Sequence, residues 1–179
     1  MRIVVVSVFA AAALASGVRA QEPVTPREGS FTARWVITGQ WRGLGMGRAR
    51  EALVADLGGR LDVAPGSAGG VIVDLASRCL VLWDTALGGS GRCSLRHPSG
   101  DEIFAEVEGD VLLGGKPVTA RFVGGTGRYE GIAGGFTFAR WDSFLLDREE
   151  RGEQKPDAGG RSLSAFTNHV TGSWRFPRR

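Results

Sequence analysis

Few of the residue types on which common chemistries depend are present in this chain. Among 179 residues there are two cysteines, two histidines, two methionines and one tyrosine. His97 and His169 are far apart in sequence, and no zinc-ligand spacing joins them to Cys79 and Cys93, so no metal is expected. No Gly-x-Ser-x-Gly elbow occurs, which leaves serine-hydrolase chemistry without an anchor. Beyond residue 20 no apolar run approaches the roughly 20 residues of a spanning helix. A large excess of one charge is missing too: 22 basic residues face 19 acidic ones, which argues against a nucleic-acid partner.

What is present begins at the N-terminus. Met1-Arg2 supplies a positive start, Ile3 to Ala15 is free of charge, and Val18-Arg19-Ala20 places small residues at −3 and −1 of a cleavage site. These are the parts of a secretory signal peptide over residues 1–20, with Gln21 first in the mature chain. Arg2 and Arg19 leave with it, so the mature net charge is near +1. Export implies a secreted or periplasmic protein, soluble once cleaved, with a polar lead-in over 21–29 and one domain over 30–177.

Glycine punctuates the rest. Its 28 residues are about twice the usual share and separate runs of strand character. From Phe31 to Trp41 the odd positions are mainly apolar and the even ones mainly polar, the period of a half-buried strand. Ile103, Ala105 and Val107 alternate with Glu102, Phe104, Glu106 and Glu108, and Val118, Ala120 and Phe122 with Thr119 and Arg121. Val71 to Trp83 is apolar on both faces, as in a strand covered on both sides. Phe136 to Leu146 and Leu163 to Val170 complete the strand set, and Asp147 to Arg161 is a charged connection. Ala49 to Leu57 fits helix and strand equally, ending at Gly58-Gly59. Seven or eight strands with hardly any helix must hide their edges, and an eight-stranded antiparallel β-barrel does so most completely.

A turn centred on residue 86 sets Cys79 directly opposite Cys93 in an antiparallel pair, close enough for one disulfide. Glu102, Glu106 and Glu108 share a face; burying three carboxylates would cost several kcal/mol each, so they belong outside. His97, before a Pro-Ser-Gly turn, and His169 read as surface or rim residues. The five tryptophans supply core, and Trp35, Trp41 and Trp141, with Phe166, are the candidates for an apolar ligand pocket. Gly124-Gly125-Thr126-Gly127-Arg128-Tyr129-Glu130-Gly131 superficially suggests a dinucleotide loop. Counted from Gly125, however, the sixth position is Glu130, and a strand follows rather than a helix. Gly125, Thr126, Gly127, Tyr129 and Gly131 therefore read as a turn and bulge, with no cofactor expected.

That segment, from Phe122 through Tyr129 and on to Gly131-Ile132-Ala133-Gly134 before an aromatic strand, resembles the allene oxide cyclase barrel and dirigent-like superfamily, in its small exported bacterial members. The Cys79 and Cys93 pair flanking a hairpin, Gly100-Asp101-Glu102-Ile103-Phe104, and the closing Gly172-Ser173-Trp174-Arg175-Phe176-Pro177 extend the resemblance over residues 30–177. It implies an all-β, eight-stranded antiparallel barrel and a homo-oligomer, dimer or trimer. In that superfamily an apolar small molecule binds in the barrel mouth and its cyclisation or coupling is steered there. The plant cyclase's pocket residues match no positions here, so that activity is not carried over. The expected function is non-catalytic: binding a small apolar ligand or acting through the outer surface. The alternatives are a cofactor-free isomerase or cyclase, and a structural envelope component.

Overall fold

In a computed structural model of the chain, the described residues are 26–47, 50–110, 116–146 and 161–177. Nine strands run in order: β1 (Glu28–Gly45), β2 (Glu51–Val63), β3 (Leu75–Asp84), β4 (Gly88–Arg96), β5 (Glu102–Gly109), β6 (Val118–Gly125), β7 (Ala133–Phe138), β8 (Ser143–Leu146) and β9 (Arg161–Arg175). Each of β1 to β6 pairs antiparallel with the next, β7 pairs with β9, and β9 pairs back onto β1. That last pairing closes an eight-stranded barrel, and β8 is the extra strand, laid along the N-terminal part of β9. Closure leaves the eight staves without a free edge. Among the described residues the helical content is two short 3-10 turns, Ser67–Gly70 and Gly127–Tyr129.

Alternation decides what points inward. In β1, Phe31, Ala33, Trp35, Ile37 and Trp41 are buried; in β5, Ile103, Ala105 and Val107 are, with Glu102, Glu106 and Glu108 facing outward. Register follows the turn chemistry: β3 and β4 pair symmetrically about residue 86, which sets Cys79 against Cys93 with Cα atoms 4.1 Å apart and the sulfurs at bonding distance. At this hairpin the Arg50 guanidinium hydrogen-bonds Asp84 and holds its carboxyl below the usual carboxylate range, helped by the Ala86 N–H.

Several expectations are corrected. The Ala49–Leu57 segment is strand where described: Leu53, Ala55, Leu57 and Leu61 point inward, and Gly58-Gly59 lies inside β2 rather than ending it. Gly59 sits where a Cβ would fall 1.9 Å from the Val36 carbonyl oxygen, so only glycine allows the two strands to approach this closely. Val71 to Trp83 is not one doubly covered strand. Residues 71–74 precede β3, and within β3 Leu80 and Leu82 are well over half exposed. Phe136 to Leu146 is broken into β7 and β8 at 139–142, and β9 runs well past Val170 to Arg175. β1 begins at Glu28, inside the expected lead-in. The segment expected to be a signal peptide, residues 1–20, and nearly all of the expected charged connection, 147–160, lie outside the described residues.

Candidate functional site

The barrel interior is the first place to seek a site, and aromatic side chains fill it. Trp35, at its centre, is 3% exposed and donates its Nε1–H to Ser77 Oγ at 3.0 Å. Its ring meets Phe136, Phe138 and Trp141 at centroid distances of 5.4, 5.8 and 5.7 Å, and Trp141 lies 4.6 Å from Phe138. Such edge and tilted contacts each add about 0.5–1.5 kcal/mol beyond the area they bury. Cys79 and Cys93 are buried in the same interior. Besides aromatic N–H and O–H groups, the only buried polar side chains among the described residues are Ser77 and Thr167. No carboxylate, imidazole, amine or guanidinium among the described residues is fully buried.

The two ends are closed differently. One end is sealed by the turn that carries the Gly-Thr-Gly motif. Thr126 exchanges hydrogen bonds with Glu102 across β5 and β6, its N–H going to the Glu102 carbonyl and its hydroxyl accepting from the Glu102 N–H. The turn then drops Tyr129 into the barrel mouth, where it is wholly buried and donates to the Val71 carbonyl at 3.2 Å. Burial pushes the Tyr129 hydroxyl above the ordinary phenol range, partly offset by the Arg128 charge. Gly127 has φ +54, and a Cβ there would fall 1.9 Å from Asp101 Oδ1. Gly125 and Gly131 flank the same plug, Gly131 with φ +76.

Outside this plug the structure assembles a group that sequence reasoning missed. Arg128 Nη1 donates to His97 Nε2 at 2.8 Å, and the Ser99 backbone N–H donates to His97 Nδ1 at 2.9 Å. Nδ1 lies 2.6 Å from Ser99 Oγ, and Ser99 Oγ donates to Asp101 Oδ2 at 2.9 Å. Serine, histidine and aspartate are thus adjacent, but serine is the middle member and gives its proton to a carboxylate. Acyl transfer needs histidine in the middle, taking the serine proton. The chain instead ties the 97–101 turn to the 127–129 turn. The nearest signal in the sequence was the short His-Pro-Ser-Gly-Asp run.

At the opposite end, tryptophans carry the closure. Trp41 is 2% exposed, lies 5.1 Å beneath the Arg161 guanidinium, and has a buried Nε1–H without an acceptor. Trp83 donates to Asp110 Oδ1 at 3.3 Å. Asp142, at the break between β7 and β8, accepts from the Asn168 N–H at 2.7 Å and from its side-chain amide at 3.1 Å, and lies 3.2 Å from His169 Nε2. These contacts clamp a β-bulge in β9, where Ala33 pairs with Val170 but Trp35 with Thr167. The bulge matters for the pocket candidates. Trp35 and Trp141 come together and Trp41 is also inside, but Phe166 is on the outer face, 5.2 Å under Arg34.

Three open clefts of about 520 Å³ each are lined by described residues. One is lined by Glu28, Gly29, Ser30, Ser173 and Arg175, a second by Thr119, Arg121, Gly135, Thr137 and Thr171, and a third by Pro65, Val73, Asp74 and Pro98. Among the described residues no helix is long and apolar enough to cross a membrane, and no group of three His, Cys, Asp or Glu side chains could hold a metal ion.

Fold and interior together define a small closed antiparallel β-barrel with a side-chain-filled core. Compared with known proteins, the chain matches no family model, no curated protein and no solved structure.

Proposed function

We propose that this chain is an exported, non-catalytic β-barrel that acts through its outer surface. The observation that carries this reading is the packed interior. Trp35, Trp41, Trp83, Phe136 and Phe138 are each at most 4% exposed and occupy the space a ligand would need. A binding cavity for a small molecule is about 300 Å³ or more, with a few converging polar groups. Export to a secreted or periplasmic location is supported by the tripartite N-terminal segment and by the Cys79–Cys93 pair, since disulfides persist in oxidising compartments.

One observation favours a second reading, an apolar ligand at the tryptophan end. The buried Trp41 Nε1–H lacks an acceptor, as does that of Trp174 at the opposite end, and leaving such a donor unsatisfied costs about 1–3 kcal/mol; only Trp41 stands beside the aromatic cluster of Trp35, Phe138 and Trp141. A small apolar molecule with one acceptor oxygen, entering beside Trp41 and Trp141, would satisfy it. A cyclase or isomerase of the kind the resemblance implies would need the same entry.

Native mass spectrometry of protein purified from its source separates these readings. The surface reading expects the mass of the polypeptide alone, or whole multiples of it, with the N-terminus at Gln21. A stoichiometric adduct of a few hundred daltons that is lost on denaturation would replace it with the ligand reading. Uncleaved chain in the cytoplasmic fraction would remove the export assignment.

A further inference from the structure

The outer wall of the barrel is polar or charged at most positions, but not on the part of β3 that follows Arg78. Its outward residues Leu80 and Leu82 are 57% and 59% exposed, and Val54, opposite Leu82 on β2, is 51% exposed. Three large aliphatic side chains thus stand together on a sheet face that solvent contact would ordinarily make polar. The row through Leu80 carries opposite charges on its two sides: Asp56 pairs with Leu80 from β2, and Arg92 pairs with it from β4.

We infer that this face of β2, β3 and β4 binds a second copy of the chain about a two-fold axis running along β3. The argument is geometric. A two-fold lying in the contact plane along β3 exchanges left and right. The β2 side of one barrel therefore faces the β4 side of the other. Leu80 and Leu82, on the axis, meet their own counterparts, and Arg78 on the same axis has its guanidinium turned aside to Asp56 rather than toward its copy. Asp56 of each copy faces Arg92 of the other, twice, and Val54 covers the apolar centre from the side. A two-fold across the strands would instead set Asp56 opposite Val54, where no charge of the second copy meets it beyond its own Arg78. The patch is self-complementary in one orientation, as an isologous interface requires. Both charged side chains are free to reach outward, Asp56 being 51% and Arg92 67% exposed beside their intramolecular partners Arg78 and Glu106. The disulfide lies directly behind: Cys79 and Cys93 precede Leu80 and follow Arg92, and their link fixes the register of the two strands that form the contact. This dimer goes beyond the surface reading above and does not depend on whether the barrel takes a ligand.

Sedimentation equilibrium on the purified protein between about 1 and 100 µM tests it, with circular dichroism and thermal melting as controls for folding. The expected result is reversible dimerisation. The Leu80→Glu/Leu82→Glu double variant, still folded because both side chains point to solvent, should weaken it at least about 100-fold. Because Leu82 is on the axis, Leu82→Cys should cross-link to a covalent dimer under mild oxidation. Thr137→Cys, exposed on β7 four strands round the barrel, should not. A wild-type chain that stays monomeric at 100 µM would overturn the inference, as would a dimer untouched by the double glutamate variant or cross-linking through Thr137→Cys in place of Leu82→Cys. A monomer that co-sediments with phospholipid vesicles through these leucines would also overturn it, by putting lipid where the second copy should be.

Discussion

The two ends of the barrel are closed by opposite means. At the end carrying Tyr129, the closure is made by turns: the 97–101 and 127–129 segments interlock through Arg128, His97, Ser99 and Asp101, and glycine at 127 lets the carboxylate approach. At the other end the closure is made by side chains from distant strands, with Trp41 from β1, Trp83 from β3 and Trp141 from the β7–β8 break. A plug fixed by short-range hydrogen bonds belongs to a stable, invariant wall. A plug of packed rings drawn from distant strands is the end at which small changes of packing admit something, since a buried indole N–H without an acceptor is found at both ends, on Trp41 and on Trp174.

Substitutions can break or sharpen this contrast. The largest effect is expected at the sealed end. Tyr129→Ala removes a wholly buried ring and should cost about 3–5 kcal/mol in urea unfolding; a loss below 1 kcal/mol would mean the turn seals the barrel without the ring. Replacing both Cys79 and Cys93 by alanine should cost about 3 kcal/mol, the value for a closed loop of this length. The protein should also show no free thiol until denatured with reductant. At the tryptophan end, Asp142→Ala removes charge-assisted hydrogen bonds to the bulge in β9 and should cost about 1.5–3 kcal/mol. It should also shift the fluorescence of the neighbouring Trp141, and an unchanged emission spectrum would separate the bulge from the aromatic cluster.

The smallest effect is Tyr129→Phe, about 1 kcal/mol for the lost bond to Val71. It has a pH signature. The Tyr129 hydroxyl is raised in the folded state, so the unfolded chain loses its phenol proton first. Its contribution is therefore complete below the ordinary phenol value of about 10 and falls as pH rises through the folded value. Stability measured from pH 9 to 12 should decline less steeply in the phenylalanine variant than in the wild type. Parallel curves would show that Tyr129 is not the group responsible.

Much of this architecture was legible because period two is a local property. Phe31 to Trp41, Ile103 to Val107 and Val118 to Phe122 showed their buried faces directly, and the symmetry about residue 86 was enough to pair Cys79 with Cys93. Other features were hidden for identifiable reasons. In Ala49 to Leu57 the apolar residues fit both periods, and Gly58-Gly59 looked like a terminator when its role is close strand approach. Phe166 misled through parity. Val170 and Trp174 point inward, so equal spacing puts Phe166 inside as well, but one extra residue in the bulge reverses the face of everything before it. The His97 to Arg128 chain was invisible because those two residues sit on turns 31 residues apart along the chain, brought together only by the β5–β6 pairing.

Alternation, glycine punctuation and paired cysteines were enough, as sequence, to specify a closed sheet with its charges outside, since each depends on neighbours within a few residues. Whether the barrel is hollow or filled, which way Phe166 faces, and that Leu80 and Leu82 stand bare on the outer wall were decided in three dimensions. Those properties depend on which distant strand lies across from each side chain, and in a closed sheet that is settled only when β9 meets β1.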